Sequence, residues 1–348
     1  MTRVDSWPVR PNGERGSMPP LFHVREPQAK RKWWSNSPAD PGNTFPLIMR
    51  NHGPDATLGH DGHVVTARNA NDLAIETAAG AVTESNVRDF ERDGATVIRG
   101  LLDANWLDRI AEGVEFNRTH PSDWSHWYTA PDEAVGFWTD YVTWPQVEQY
   151  RRAAFESPMA GAAARLMRSD TVRFFHEHVL VKEPGATERT PWHHDQPYYC
   201  LDGDQNVSLW VALDPVPASS GMRFLAGSHR WDRWFVPRKF IDHTPYAEAP
   251  EGFELVPDID GDIERGRHRV VSFDIEPGDV IAFHYRTLHD APGNALASRR
   301  RAVSFRWIGD DATFATRPWQ VSPPYEPDGL AVGGGLEDDP RFPLVPLH

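Results

Sequence analysis

From Thr171 onward the chain breaks into apolar runs set apart by turn residues: Val172 to Lys182, Val207 to Leu213, Met222 to Ala226, Val270 to Phe273, Val280 to Phe283 and Arg301 to Ile308. Most are shorter than a buried helix needs, and all draw on Val, Ile, Phe and Trp, so they read as strands. Many short strands at modest spacing pack best as two facing sheets. The pattern predicts a β-sandwich or jelly roll.

Helices are expected ahead of these strands. Thr83 is an N-cap candidate, with Val87 and Phe90 as apolar positions and Gly94 as a stop. A strand from Ala95 to Ile98 leads into a helix over Ala104 to Asn117, which places Leu107, Ile110 and Val114 on one face. A second helical run covers Ser157 to Arg168. The chain divides into an N-terminal arm over 1–83, one catalytic domain over 84–310 and a loop-rich tail over 311–348. The arm holds eight prolines in its first fifty positions, yet Trp33, Trp34, Phe45, Leu47, Ile48 and Met49 are too apolar for a solvated segment. Part of it is expected to pack on the core. The tail, with Gly333, Gly334 and Gly335, is expected to close over one end of the barrel.

The formal charge of −14 is uneven: residues 1–50 hold eight Lys and Arg against four Asp and Glu, which leaves −18 on the remainder. An acidic body repels nucleic acid and offers nothing general to an anionic membrane, although a local basic pocket can still hold a small anion. Cys200 is the single cysteine, so no disulfide within the chain and no thiolate metal cluster can form. The opening residues lack the apolar core of a signal peptide, and no run is long enough to span a bilayer. A cytoplasmic protein with a small-molecule substrate, and without nucleic-acid or membrane partners, is expected; oligomeric state is not legible.

In Thr190-Pro191-Trp192-His193-His194-Asp195-Gln196, an extended backbone puts His193 and Asp195 on one side and His194 on the other. Joined by a histidine from elsewhere, they make a facial triad with open positions, suited to non-haem Fe(II) and O2. His-x-Asp alone is equally the pattern of a strand-end histidine beside a capping aspartate. The second half narrows it. After the Glu276-Pro277-Gly278-Asp279 turn and the Val280–Phe283 strand, the loop Leu288 to Asn294 delivers His289, and Arg300 follows eleven positions later. A fixed guanidinium near the same barrel end suits the distal carboxylate of a keto-diacid.

These motifs, in order, resemble the phytanoyl-CoA dioxygenase family over about Thr83 to Gly309: the Phe-Glu-Arg-Asp-Gly opening, Val181-Lys182-Glu183-Pro184, His193-x-Asp195, Leu209-Trp210-Val211-Ala212-Leu213, Gly221 with Phe224 to His229, Pro277-Gly278-Asp279, His289 and Arg300-Arg301-Ala302-Val303-Ser304. The resemblance implies a double-stranded β-helix (cupin-like jelly roll) and an Fe(II)- and 2-oxoglutarate-dependent dioxygenase that consumes O2 and releases succinate and CO2. It makes His193, Asp195 and His289 the iron ligands and Arg300 the partner of the 2-oxoglutarate C5 carboxylate. Lys182, Trp210 and Ser304 become further co-substrate contacts. Asp195 favours hydroxylation, since related halogenases lack this carboxylate.

Alternation along Val172 to Lys182 puts Phe174, His176, His178, Leu180 and Lys182 on one face, so His176 and His178 are candidates to line a substrate site, alongside Gln196, Tyr198 and Tyr199. Arg306 is a candidate for a substrate carboxylate. Trp124, Trp127, Trp138 and Trp144, in a helical or loop-rich lid segment, suggest apolar walls, with most of the tryptophans expected simply as core. Two other readings are a cupin-like enzyme of another metal, which leaves Arg300 and Lys182 without a role, and a non-catalytic binding protein on the same fold.

Overall fold

The computed structural model describes residues 81–128, 136–240, 242–337 and 339–347. Of the arm over 1–83 only the last three residues are among them, and Trp33 to Met49 lie outside. Thr83 caps helix α1 (Glu84–Asp93): its hydroxyl accepts the Asn86 N–H at 3.2 Å while the Asn86 side chain accepts the Thr83 N–H at 3.0 Å. Gly94 ends the helix with φ 77°, a left-handed conformation that glycine adopts without strain. Strand β1 (Ala95–Ile98) follows, then α2 (Ala104–Thr119), capped by Asp103 and burying Ile110 and Val114 as the spacing requires.

Next come β2 (His126–Tyr128), β3 (Phe137–Tyr141), α3 (Glu148–Glu156), α4 (Met159–Met167) and the long β4 (Val172–Lys182). Helix α3 was not foreshadowed by any apolar period. The remaining elements are β5 (Thr190–His193), β6 (Leu201–Asp202), β7 (Asn206–Ala212), β8 (Arg223–Leu225), α5 (Ile259–Glu264), β9 (Val270–Val271), β10 (Val280–Phe283), β11 (His289–Ala291), β12 (Arg300–Ile308), β13 (Thr313–Phe314) and β14 (Leu344–Val345). The segment around His289, expected as a loop, is a short strand.

Two antiparallel sheets face each other. The larger runs β1-β10-β7-β12-β4-β3-β2, with β14 also on β4, and the smaller runs β5-β11-β8-β9. Because side chains alternate, the large sheet has two different faces. Val179, Val181, Leu209, Val211, Val303, Phe305 and Trp307 pack outward against Ile110, Val114, Tyr150 and Leu166 of the helices. Trp210, Ala212, Ile281, Phe283 and Ala302 point inward to Phe224 and Ala291 of the small sheet. This is the jelly roll, with α2, α3 and α4 on the outer face of the large sheet and the short α5 packed through Ile259 on Trp192 and Leu225 of the small one.

One irregularity corrects the sequence reading of β4. Its register against β12 skips Phe175, between the pairs Arg306 with His176 and Trp307 with Phe174. The bulge flips alternation beyond that point, so Phe174 joins the helix-side core instead of the face holding His176, His178, Leu180 and Lys182. Phe175 turns to the tail, where it stacks on Phe342 at 5.6 Å beside Tyr325 and Leu336. No helix among the described residues is long and apolar enough to cross a membrane.

Candidate active site

The inner faces of the two sheets enclose a cavity of about 320 Å³ whose lining includes His193, Asp195 and His289. His193 ends β5 and His289 starts β11, and the two lie directly opposite in register. Their donor atoms and that of Asp195 fall within 4.8 Å of one another. Each imidazole is oriented in the same way: Nδ1 meets a backbone carbonyl two residues back, Pro191 at 2.8 Å for His193 and Thr287 at 2.9 Å for His289. A carbonyl only accepts, so Nδ1 carries the proton and Nε2 presents its lone pair to the centre. Burial and the neighbouring His193 push His289 down to about 3, so it stays a neutral donor at physiological pH.

Asp195 reaches the centre by a route other than strand alternation. The strand stops at His193, the chain turns, and Asp195 adopts helical angles (φ −71°, ψ −39°) with its N–H on the Tyr285 carbonyl at 2.7 Å. Its Oδ1 lies 3.5 Å from His193 Nε2 and 3.8 Å from His289 Nε2. Its Oδ2 faces away, 3.5 Å from Arg306 Nη2 and accepting from Ser208 Oγ at 3.4 Å. Burial alone would raise this carboxyl, but the Arg306 guanidinium and the two histidines outweigh it and hold Asp195 well below the usual range. His194 is turned out of the site and accepts the Phe235 N–H at 3.0 Å.

At another part of the same inner face Lys182 and Arg300 sit side by side, paired across β4 and β12. Both are buried, and among the described residues neither has an ion-pair partner. Lys182 donates to the carbonyls of Glu188 and Pro292, each at 2.8 Å, and Arg300 to those of Ser220 and Pro292. Burial, with Arg300 beside it, pushes the Lys182 amine well below its usual range, and burial lowers Arg300 to about 10. Two desolvated cations without an acid are costly unless an anion joins them. Trp210 and Ser304 line the cavity nearby, and among the described residues Ser304 Oγ has no partner. Arg301 points to the opposite face and pairs with Asp214 at 2.8 Å.

Of the remaining candidates, His176, His178, Tyr198 and Arg306 line the cavity while Gln196 does not; its amide donates to the Gly203 carbonyl at 2.9 Å and braces that turn. Arg306 faces inward, but toward Asp195 and the Tyr199 hydroxyl, to which its Nε donates. Among the four tryptophans only Trp124 lines the cavity; Trp138 and Trp144 are core and Trp127 is exposed. The sequence reading missed Ser208, which the alternation from Trp210 marks as inward, and Phe137, Thr139 and Tyr141, which share one face of β3. Phe240 and Tyr246 arrive on a connection with no periodic signal.

The phytanoyl-CoA dioxygenase (PhyH) family model matches residues 90–302. The chain belongs to this family. Ectoine dioxygenase of Sphingopyxis alaskensis is 28% identical over 276 residues, which span 71% of this chain and 84% of that enzyme. Among solved structures, the non-haem α-ketoglutarate-dependent carbocyclase SnoK of nogalamycin biosynthesis superposes with a TM-score of 0.59 at 24% identity, covering 77% of this chain and 98% of its own. EctD of S. alaskensis with 2-oxoglutarate and 5-hydroxyectoine gives a TM-score of 0.56 at 18% identity, covering 73% and 86%. Both share the fold. This PhyH-family protein is an Fe(II)- and 2-oxoglutarate-dependent dioxygenase, and its residues fit both groups: two imidazole nitrogens and one carboxylate oxygen converge, and two buried cations await an anion.

The contact between Arg306 and Asp195 makes a prediction. Replacing Arg306 with leucine frees the outer carboxylate oxygen and removes the charge that holds it, so Fe(II) affinity is expected to fall roughly 10- to 100-fold, as for other groups that orient a ligand. Anaerobic Fe(II) titration checks this; unchanged affinity would show that Ser208 and the backbone suffice.

Proposed function

We propose that His193, Asp195 and His289 hold the iron, that Arg300 with Lys182 binds the C5 carboxylate of 2-oxoglutarate beside Trp210 and Ser304, and that the enzyme hydroxylates a small or medium organic metabolite with release of succinate and CO2. Bound iron supplies the activation of O2 that couples loss of CO2 from the keto-acid to oxidation of the substrate. The chain supplies the rest. Nδ1 contacts to Pro191 and Thr287 fix both imidazoles, and Arg306 and Ser208 turn one Asp195 oxygen inward. The acidic body argues for a small substrate rather than a polyanionic thioester, and the single cysteine, Cys200, fits action in a reducing cytoplasm.

The observation that carries this reading is the Lys182–Arg300 pair, because a cupin-like enzyme of another metal has no use for two desolvated cations. Anaerobic titration of the apo-protein with Fe(II) and 2-oxoglutarate tests it without knowledge of the substrate. A weak visible charge-transfer band is expected, dependent on both additions. A folded protein that gives no band assigns the site to other chemistry.

A further inference from the structure

After the iron and the co-substrate are accounted for, the cavity keeps a second polar group that the proposed roles do not use. His178 stands at the middle of the inner face, in a row across the large sheet with Tyr141 on β3, Ser304 on β12 and Trp210 on β7. It lines the cavity, is close enough to Asp195 and His193 to feel their charge, and neither ring nitrogen has a hydrogen-bond partner among the described residues. His176 lies two residues away on the same face. Its Nδ1 meets the Glu177 carbonyl at 3.0 Å, so by the same logic Nε2 is a bare acceptor, and it is buried without a partner among the described residues. Burial, with Arg306 nearby, keeps both rings neutral and holds His178 down to about 3. A buried polar atom left unsatisfied, as His176 Nε2 is among the described residues, costs about 1–3 kcal/mol, which a bound ligand recovers.

Among the described residues, three of the four cations in the lining already have a proposed role or an acid partner. Lys182 and Arg300 face the co-substrate, Arg306 is engaged by Asp195, and Arg238 turns its guanidinium onto the Val256 carbonyl at 3.0 Å. Among the described residues Asp195 is the one carboxylate in the lining. Arg238, held on the Val256 carbonyl, is the one cation of the described lining left without an acid partner or a proposed role, and no carboxylate is left for a cationic substrate, while ring faces such as Tyr141, 5.6 Å from His178, supply apolar planes.

We infer that His176 and His178 form the substrate-recognition pair, and that the substrate is an uncharged ring compound bearing a hydroxyl or N–H group that donates to them. The inference rests on the proposed iron and 2-oxoglutarate roles. Its test uses three matched probes, benzyl alcohol, benzoate and benzylammonium, added to the full chain loaded anaerobically with Fe(II) and 2-oxoglutarate, with binding read by saturation-transfer NMR and the visible band read in parallel. Benzyl alcohol is expected to bind best, and His178→Leu to weaken it about five- to tenfold, the worth of one hydrogen bond, with the band intact. His178→Asn, which keeps a polar partner, is expected to lose less. Preference for benzoate or benzylammonium overturns the inference, as does His178→Leu binding benzyl alcohol unchanged. A His178→Leu protein that instead binds 2-oxoglutarate more weakly gives the histidine to the co-substrate, which also overturns it. Absence of the band in the unaltered protein is the separate failure of the underlying reading.

Discussion

Substituting His193 with alanine is expected to abolish the Fe(II)- and 2-oxoglutarate-dependent band and to lower succinate formation by roughly a thousandfold or more, on the order of 4 kcal/mol of transition-state stabilisation. The reason is geometric. His193 and His289 face each other across β5 and β11, and Asp195 offers the same oxygen to both, so loss of one imidazole leaves a two-donor site open to water. The fold should survive: His193 sits at a strand end, and the exchange removes no outward-facing core residue. Circular dichroism on the variant separates loss of metal from loss of fold. A folded His193→Ala protein that still forms the band would remove this residue from the ligand set.

Arg300→Ala addresses the other half of the site. A buried, charge-assisted contact to a carboxylate contributes about 1.5–3 kcal/mol, so 2-oxoglutarate affinity is expected to fall by about 10- to 100-fold while Fe(II) binding alone is unchanged. Arg300→Lys should recover part of the loss, since the charge returns without the planar fork. Lys182 complicates the outcome in an instructive way. With its neighbouring cation gone, the depressed Lys182 amine regains basicity and can take over some of the carboxylate. The double substitution is therefore expected to cost more than either single change. Equal 2-oxoglutarate affinity in wild type and Arg300→Ala, measured anaerobically, would place the co-substrate elsewhere.

Much of this was legible from residue order, for reasons that can be named. Strand alternation put Lys182, Leu180, His178 and His176 on one face, because a regular strand repeats every two residues, and it failed at Phe174, where a one-residue bulge reset the phase. His193 and Asp195 do converge, but not for the reason the alternation gave: the backbone turns between them, and the Tyr285 carbonyl rather than the pleat fixes Asp195. Arg306, a candidate for a substrate carboxylate, does face inward, yet its partner there, Asp195, is a long-range neighbour that no local pattern reveals. The same holds for Phe240, which packs on His193 at 5.1 Å from a connection without periodicity. Local periodicity encodes the facing of a side chain; it does not encode which distant segment meets it.

The small sheet is built from strands of four, three, three and two residues, and two of the three triad donors are stationed directly across its β5–β11 seam. An ion gripped there acts as a clasp between segments nearly a hundred residues apart in sequence. Because the unfolded chain has no such grip, metal supply and conformational stability become one equilibrium: at a free ion concentration a hundredfold above its dissociation constant, the folded form gains about 2.7 kcal/mol. Iron starvation would then thin out the folded population itself, beyond idling the molecules that remain.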